Sequence, residues 1–372
     1  MQLKKIELFE IEMPLKHPFE TSFGITHNRR ILLLRVWDKD GVSGWSECTA
    51  PLHPFYLHET IDTCWSIIKG YVIPMLGKAK VCCAAEVSNT LAPIQGNRMA
   101  IGAVETAIWD LEAKEKNIPL WQHLGGTQTE INCGVSIGIQ TSLEKLVEVV
   151  THEIESGYQR IKLKIKPGQD IELVKTIRSK FPDILLSVDA NSAYQFERDK
   201  EIFQELDDYN LLMIEQPLQA GDLIDHAKLQ KLIKTKICLD ESITKFRDAK
   251  QAIEIDACRI INIKLGRVGG HLEAKRIQQY AAEKNIPVWC GGMLEAGIGR
   301  AHNIAMSTLA GFSLPGDVSA SARYWVEDII EPEVLVSPNG KIKAPLGAGI
   351  GFEVKTGLIE KLKIREDKIN FE

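Results

Sequence analysis

The chain reads RIKLKI at residues 160–165, with a lysine one residue before its end, and four later apolar segments end on a charge: ILLSVD at 184–189, LLMIE at 211–215, KICLD at 236–240 and RIINIK at 259–264. The charged residues are Lys164, Asp189, Glu215, Asp240 and Lys264, at intervals of 24 to 26 residues. One strand, one helix and two short loops take about that many residues. The spacing therefore predicts that the five charges lie at the same level of successive strands.

Short apolar strands alternate with amphipathic helices from about residue 128 to residue 325. Eight strands are predicted, at residues 131–139, 160–165, 184–189, 211–215, 236–240, 259–264, 286–290 and 312–317. Strict alternation indicates a parallel sheet, and eight units close into an α/β barrel of the (β/α)8 type. An open, doubly wound sheet is the alternative. In a barrel, the five charges would stand at the C-terminal mouth, where barrel enzymes hold their active sites.

Residues 1–127 have a different, α+β pattern. Strands are predicted at 3–13 and 30–37, a hairpin turn at 38–41, and helices at about 57–69 and 98–116. The glycines of Leu124-Gly125-Gly126 end this pattern and mark the boundary to the barrel. In the first barrel unit, Thr141-x-x-Glu144 is a capping box that predicts a helix start, and Gly157 predicts its end.

The composition excludes several classes of function. The 372 residues include 45 Lys plus Arg and 50 Asp plus Glu, for a net charge of −5, and no stretch concentrates the basic residues. A nucleic-acid partner is therefore not expected. Apolar runs are far shorter than the ~20 residues of a membrane span, so no membrane association is expected. The eight cysteines are scattered without a CxxC pair, which favours buried thiols in a reducing, cytoplasmic setting.

Asp189, Glu215 and Asp240 offer only hard oxygen donors, and no His or Cys ends their three strands. Carboxylates with water suit Mg²⁺, or Mn²⁺ in its place, rather than zinc. The alternative is an internal network of Lys–carboxylate salt bridges, since buried charges at strand ends must pair or bind something.

Lys164 and Lys264 flank these acids, one strand before and one strand after. A lysine acts as a base only when it is neutral. Lys162, two residues from Lys164, points the same way, and its charge together with a nearby dication would favour a neutral Lys164. A metal would meanwhile stabilise the second negative charge that appears when a proton leaves the carbon beside a carboxylate. These residues fit proton abstraction from a small-molecule carboxylate.

Motifs around these residues resemble the muconate-lactonising subgroup of the enolase superfamily. They are Lys162-Leu163-Lys164, Val188-Asp189-Ala190-Asn191, Met213-Ile214-Glu215-Gln216-Pro217, Leu239-Asp240-Glu241-Ser242 and Ile263-Lys264. Within it, residues 160–165, 290–295 and 315–317 are similar to the o-succinylbenzoate synthase / N-succinylamino acid racemase family. The resemblance covers essentially the whole chain, and its motifs are specific.

The resemblance implies a site and a domain organisation. Lys164 and Lys264 would be catalytic, with Mg²⁺ bound by Asp189, Glu215 and Asp240. The implied substrate-binding residues are Ser136, Lys162, Asn191, Gly292, Met293 and Phe23. Residues 1–127 would form a capping domain with a specificity loop at about 15–28, residues 128–325 the barrel, and residues 326–372 the rest of the cap. Enzymes of this type commonly assemble, so a homo-oligomer is expected.

The implied activity is Mg²⁺-dependent o-succinylbenzoate synthesis. The enzyme would dehydrate 2-succinyl-6-hydroxy-2,4-cyclohexadiene-1-carboxylate to 2-succinylbenzoate, a step of menaquinone biosynthesis. N-succinylamino acid racemisation, alone or at the same site, is the alternative. Dipeptide epimerases of the subgroup usually carry Asp-x-Asp in the last strand to hold an ammonium. Here Asp317-Val318-Ser319 breaks that pattern and argues against a free-amine substrate.

Other patterns favour other classes less well. Gly134-x-Ser136-x-Gly138 matches a nucleophile elbow, but the strand is predicted to continue past the serine. A Schiff-base aldolase would have no need of three carboxylates, and a catalytically silent binding protein would not need the lysines. The glycines of 266–270 favour a loop that opens the sixth barrel helix, with an anion at its N-terminus. Arg267 either tunes Lys264 or is a simple loop charge.

Overall fold

The computed structural model describes residues 1–22 and 24–371. The N-terminal strands β1 (Leu3–Thr21), β2 (Gly24–Asp38) and β3 (Ser43–Cys48) form an antiparallel sheet, and the predicted turn at 38–41 joins β2 to β3. The first two strands are longer than expected and pair to their tip, where Thr21 lies opposite Gly24. The predicted loop at 15–28 is therefore mostly a β-hairpin.

Helices cover one face of this sheet. They are α1 (Ile61–Ile67), α2 (Ile73–Ala79), α3 (Ala84–Thr90), α4 (Arg98–Glu115) and α5 (Leu120–His123), with a π-helical turn at Ile68–Val72. Helix α4 is buried along almost its whole length and packs on β3. A Cβ atom on Gly44 would lie 2.1 Å from the Ala107 carbonyl oxygen, so only glycine allows this close approach.

The second region is a parallel sheet of seven strands in sequential order. They are β5 (Gly134–Ile137), β6 (Arg160–Lys164), β7 (Leu185–Asp189), β8 (Ile214–Glu215), β9 (Ile237–Leu239), β10 (Ile260–Ile263) and β11 (Val288–Cys290). Before them, the short β4 (Glu130–Asn132) pairs instead with the C-terminal tail, so the predicted first strand at 131–139 starts too early.

Helices follow each strand of the sheet. They are α6 (Leu143–Glu155), α7 (Ile171–Lys180), α8 (Phe196–Leu206), α9 (Leu223–Leu232), α10 (Phe246–Glu254), α11 (Leu265–Val268), α12 (His271–Glu283) and α13 (Gly297–Ser307). The capping residue of α6 is Ser142, whose side chain accepts from the Lys145 N–H, and not the predicted Thr141. Gly157 has a φ of +94° and follows the C-cap, as predicted.

The predicted eighth strand, at 312–317, is an extended segment with isolated bridges. Phe312 is bridged to Val288 on one side, and Gly316 is bridged to Cys133 on the other. The Gly134 N–H donates to the Gly316 carbonyl at 2.7 Å, and the Asp317 N–H donates to the Cys290 carbonyl at 2.8 Å. The segment thus closes the curled sheet, and the barrel has seven regular strands.

The C-terminal tail returns to the N-terminal sheet. It contains β12 (Ile330–Glu331), β13 (Lys341–Lys343), β14 (Glu353–Val354), α14 (Thr356–Leu362) and β15 (Lys363–Asn370). Strand β13 pairs with β4, and β15 pairs antiparallel with β1 at the edge of the first sheet. A search of the described residues for a helix long and apolar enough to cross a membrane finds none.

Candidate active site

The five predicted charges meet at the C-terminal edge of the parallel sheet. Lys164, Asp189 and Glu215 end β6, β7 and β8 in register, while Asp240 and Lys264 directly follow β9 and β10. All five are buried, with at most 9% of each residue exposed. Alternation along β6 also directs Lys162 to the same side as Lys164. The spacing prediction is thus correct in placing these residues together.

Lys164 has two partners. Its Nζ donates to Asp189 Oδ2 at 2.6 Å and to Asn191 Oδ1 at 2.6 Å. Asn191 donates in turn to Glu241 Oε1 at 2.8 Å, and its backbone N–H donates to Asp189. Burial opposes ionisation of Asp189, but Lys164 and Lys162 hold its pKa at about 2. The structure therefore places a lysine and an ionised carboxylate in direct contact.

Lys162 lies among three carboxylates. Its Nζ donates to Glu215 Oε2 at 2.7 Å and lies 2.8 Å from Asp317 Oδ2 and 3.3 Å from Asp189 Oδ2. Burial disfavours the charged amine, yet Asp317, Glu215 and Asp189 together raise the pKa of Lys162 above its ordinary value. Lys162 is therefore a fixed positive charge at the floor of the site.

Lys264 stands on the opposite side of the carboxylates. Its Nζ donates to Asp240 Oδ2 at 2.7 Å and to the Tyr56 hydroxyl at 3.1 Å. Arg267 forms an ion pair with the same aspartate and donates to Tyr56 at 3.1 Å. Burial disfavours the charge of Lys264, but Tyr56 and Glu241 raise its pKa above the ordinary value. This lysine is a cation in the structure, and Arg267 is a buried partner of its carboxylate.

The donor set suits a hard divalent cation. Asp189, Glu215 and Asp240 supply carboxylate oxygens from neighbouring strand ends, and their cationic partners are flexible amines that could give way. As the side chains are placed, residues 1–22 and 24–371 contain no group of three or more His, Cys, Asp or Glu that could hold a metal. The salt-bridge network considered from the sequence is therefore the arrangement present here, and it fits a metal site only if the amines move.

Most of the predicted substrate-binding residues lie beside this cluster. The Ser136 hydroxyl donates to Asp317 Oδ2 at 2.8 Å, and Asn191 bonds to Lys164. Gly292 packs against Asp317, because a Cβ atom there would lie 2.9 Å from the Asp317 carbonyl oxygen. Met293 is next along the chain, and its N–H donates to Glu295 Oε2 at 2.8 Å. Phe23 lies outside the described residues.

The tip of the β1–β2 hairpin lies over the first barrel strands. The Glu20 carbonyl accepts from the Ile139 N–H at 3.0 Å, and its carboxylate accepts from Lys166 Nζ at 3.3 Å. The Ser22 hydroxyl donates to the Asn191 carbonyl at 3.5 Å. The hairpin therefore borders the site on the side of Lys164.

Sequence reasoning missed three participants. Tyr56 reaches Lys264 and Asp240 from the N-terminal region, and a lone tyrosine between apolar residues gave no signal. Asp317 was weighed only as half of a broken motif. Arg160 is fully buried and donates to Asp317 Oδ1 at 2.5 Å. The only sign of it in the sequence is its place at the start of the alternating basic run Arg160-x-Lys162-x-Lys164.

Two set-aside patterns have structural explanations. Ser136 lies within β5, with no helix starting after it, so it is not a nucleophile elbow. The N-terminus of α12 does hold a carboxyl group, which belongs to the protein itself. Glu105 accepts from the His271 N–H at 2.8 Å and from the Leu272 N–H at 2.9 Å.

The chain matches two family models. Residues 5–125 match the mandelate racemase / muconate lactonizing enzyme N-terminal domain, and residues 145–358 match the enolase C-terminal domain-like family. A Geobacillus kaustophilus protein named o-succinylbenzoate synthase is 50% identical over 97% of this chain and 96% of its own. A Thermus thermophilus protein named N-succinylamino acid racemase is 44% identical over 98% of both.

A solved structure supports the same assignment. A Listeria innocua member of the enolase superfamily superposes with a TM-score of 0.96, at 42% identity, over 100% of both chains. The sequence matches and the shared fold thus agree over the whole length. The chain is therefore an enzyme of the enolase superfamily, in its mandelate racemase / muconate lactonizing enzyme family.

Proposed function

We propose that this enzyme is a Mg²⁺-dependent o-succinylbenzoate synthase. The observation that carries the proposal is the row of three buried carboxylates with a lysine on either side, Lys164 bonded to Asp189 and Lys264 bonded to Asp240. Two lysines around one carboxylate shelf suit abstraction of a proton beside a carboxylate. Relatives with that name share about half of the residues of this chain.

Asp189, Glu215 and Asp240 are the residues that would hold Mg²⁺, or Mn²⁺ in its place. When bound, the cation would supply the positive charge that a doubly negative enediolate requires. Lys162 and Lys264 add two further positive charges that the protein itself fixes around the site. They favour an anionic substrate whose charge grows in the transition state.

The proton chemistry is assigned to Lys164. Its amine takes the proton from the ring carbon that bears the carboxylate, and the electron pair of that C–H bond enters the enediolate. The resulting ammonium then gives a proton to the hydroxyl group as its C–O bond breaks on the same face. Water leaves and the ring becomes aromatic. Lys264, which forms an ion pair with Asp240, is assigned to contribute charge rather than to accept a proton.

Asp317 supports a substrate without a free ammonium. Burial opposes its ionisation, but Lys162 and Arg160 hold the pKa of Asp317 well below its usual range. Since two cations of the protein already neutralise this carboxylate, it is not free to receive an ammonium from the substrate. A succinyl-bearing dianion fits the surplus of positive charge that a divalent cation would create.

Racemisation of N-succinylamino acids is the second candidate. It is favoured by the position of Lys264, which lies across the carboxylates from Lys164, and by relatives that bear the racemase name. Racemisation needs one base on each face of the substrate. In that reaction Lys164 would take the proton from one face of the α-carbon, and the Lys264 ammonium would donate its own proton to the other face.

We also propose a division of the chain into a capping domain, residues 1–127 with 326–372, and a barrel at 128–325. The pairing of β15 with β1 supports the assignment of the tail to the cap.

The synthase is tested by following 2-succinylbenzoate formation in the presence of MgCl2. We expect Lys164→Ala to lose every activity, and each of Asp189→Ala, Glu215→Ala and Asp240→Ala to lose both Mg²⁺ binding and activity while remaining folded. Full turnover in excess EDTA would contradict the proposal.

Exchange of the substrate α-hydrogen in deuterated water tests which lysine acts on which face. Lys264→Ala should exchange one enantiomer of an N-succinylamino acid through Lys164 and fail with the other.

A further inference from the structure

Asp317 is a fourth carboxylate at the mouth, and neither the proposed metal site nor the proton chemistry uses it. It follows the segment that closes the barrel. Its Oδ2 atom accepts from the Ser136 hydroxyl at 2.8 Å and lies 2.8 Å from Lys162 Nζ, while its Oδ1 atom accepts from Arg160 Nη2 at 2.5 Å. One carboxylate thus holds two cationic side chains and a hydroxyl.

The Lys162 amine contacts Asp317 and also two of the residues proposed to bind the metal. Its Nζ lies 2.7 Å from Glu215 and 3.3 Å from Asp189. A divalent cation on those two carboxylates would repel an ammonium at such distances and would compete for the same oxygens. Since Lys162 is 2% exposed, it has no route to solvent and needs an anion elsewhere. Asp317 is already within contact distance.

Arg160 makes Asp317 a fixed anchor. The guanidinium is fully buried, donates through Nε to the Pro315 carbonyl at 3.0 Å and lies 4.6 Å from the centre of the Trp289 ring. Gly134 leaves room for it, because a Cβ atom there would lie 2.8 Å from the guanidinium nitrogens. Arg160 therefore keeps Asp317 ionised and in place whatever Lys162 does.

We infer that Asp317 is a positioning residue that receives Lys162 when a divalent cation takes Glu215 and Asp189. The inference rests on the metal site of the proposed function. In the loaded site, Lys162 would keep its place beside the substrate with Asp317 as its partner, and the two metal ligands would be released from it.

The test is a calorimetric titration of the whole protein with MgCl2, which needs no turnover. Asp317→Asn should weaken Mg²⁺ binding at least tenfold, because Lys162 is then left with only the metal ligands as partners. Lys162→Met should tighten binding, because it removes the competing cation. In the Lys162→Met background, Asp317→Asn should change the affinity less than twofold.

Asp170→Asn is the matched control, since this buried carboxylate bonds to Tyr194 on a neighbouring barrel unit and should leave the affinity unchanged. Asp317→Asn leaves Arg160 buried without its carboxylate, so Arg160→Met with Asp317→Asn serves as a second variant without an unpaired cation. It should weaken binding as the single variant does.

Equal weakening by Asp317→Asn with and without Lys162 would overturn the inference, because Asp317 would then act only through its charge at a distance. An unchanged Mg²⁺ affinity in both Asp317→Asn and the double variant with Arg160→Met would also overturn the inference. In that case, Mg²⁺ binding by the wild-type protein would still support the proposed function. Absence of Mg²⁺ binding by the wild type would overturn the metal site itself and the inference with it.

Discussion

Two of the seams between the N-terminal region and the barrel are built differently. In the first, which we call the helix-cap seam, buried carboxylates accept hydrogen bonds from the first N–H groups of α12 and α13. They are Glu105 on α4, Glu47 on β3 and Asp328 in the tail. In the second, the hairpin seam, the tip of β1–β2 contacts the barrel through Glu20 and Ser22.

The two seams differ in what it takes to open them. Each carboxylate of the helix-cap seam is at most 6% exposed, and its loss would leave buried N–H groups without acceptors. In the hairpin seam, the Glu20 and Lys166 side chains are 32% and 34% exposed, so water can replace their contact. The comparison indicates that the N-terminal sheet is held more firmly at α12 and α13 than at the hairpin tip, which lies next to Lys164.

The largest effect is expected from Glu105→Ala, which tests whether the helix-cap seam holds the two regions together. The change removes the acceptor of two backbone N–H groups of α12, at His271 and Leu272, and of the Trp109 indole N–H, and two of these three bonds are buried. We expect the free energy of unfolding to fall by about 3 kcal/mol. Urea denaturation measures the loss, with Glu205→Ala on the surface of α8 as the control. A change below about 1 kcal/mol would show that the helix-cap seam is not the anchor.

Two buried histidines beside the helix-cap seam make the free energy of unfolding depend on pH. His302 Nε2 lies 2.8 Å from the Trp45 carbonyl, to which it must donate, and His302 Nδ1 lies 3.0 Å from His271 Nε2, where a neutral His302 accepts from His271. Burial lowers the pKa of both, that of His271 well below 6.5. Below pH 6.5 the unfolded chain binds more protons at these two sites, and stability is lost as the pH falls.

Glu105 acts in the opposite direction. Burial raises its pKa to about 7 from 4.5, so the folded chain gains stability at this site as the pH falls through 7 towards 4.5. The two histidines together contribute a loss of up to about 2.7 kcal/mol per pH unit below their unfolded pKa, and Glu47, whose pKa burial also raises, opposes it as Glu105 does. Unfolding between pH 5 and 7.5 measures the slope. His302→Gln should reduce it, and an unchanged slope would contradict this account.

The smallest effect is expected in the hairpin seam. Lys166→Ala removes the partner of Glu20 and should change the free energy of unfolding by less than about 0.5 kcal/mol. The same variant should nevertheless exchange the amide hydrogens of residues 15–22 and 24–28 faster, since the tip detaches more often. Ligand binding should slow this exchange in the wild type. Hydrogen exchange with mass spectrometry distinguishes these results from a tip that is fixed at all times.

The parts of the site that follow strand ends could be predicted from the sequence, because a strand–helix period fixes their level. Lys164, Asp189 and Lys264 are examples. The position of Tyr56 could not be predicted, because this residue lies in a loop of the N-terminal region and no local sequence pattern indicates where that loop packs. The role of Glu105 was also hidden, since a glutamate within a helix gives no sign that it caps another helix.

The order of strands and helices could also be predicted from the sequence, whereas details of pairing and capping could not. Residues 312–317 read as a strand, yet they form only isolated bridges, because the segment has neighbours to pair with at only a few positions. Ser142 rather than Thr141 caps α6, a choice between two adjacent hydroxyls that depends on the exact exit of the chain from β5.

The pairing of β1 with β15 has a consequence for the order of synthesis. A ribosome releases β1 before the barrel, and its neighbour β15 after it, so the outer edge of β1 has no partner from this chain while the barrel is being made. Domains otherwise tend to fold as they emerge, N-terminal first. An open edge can pair with another chain. In a circular permutant that joins the end of β15 to the start of β1, the two strands would be synthesised one after the other, and the edge of β1 would be unpaired for a shorter time.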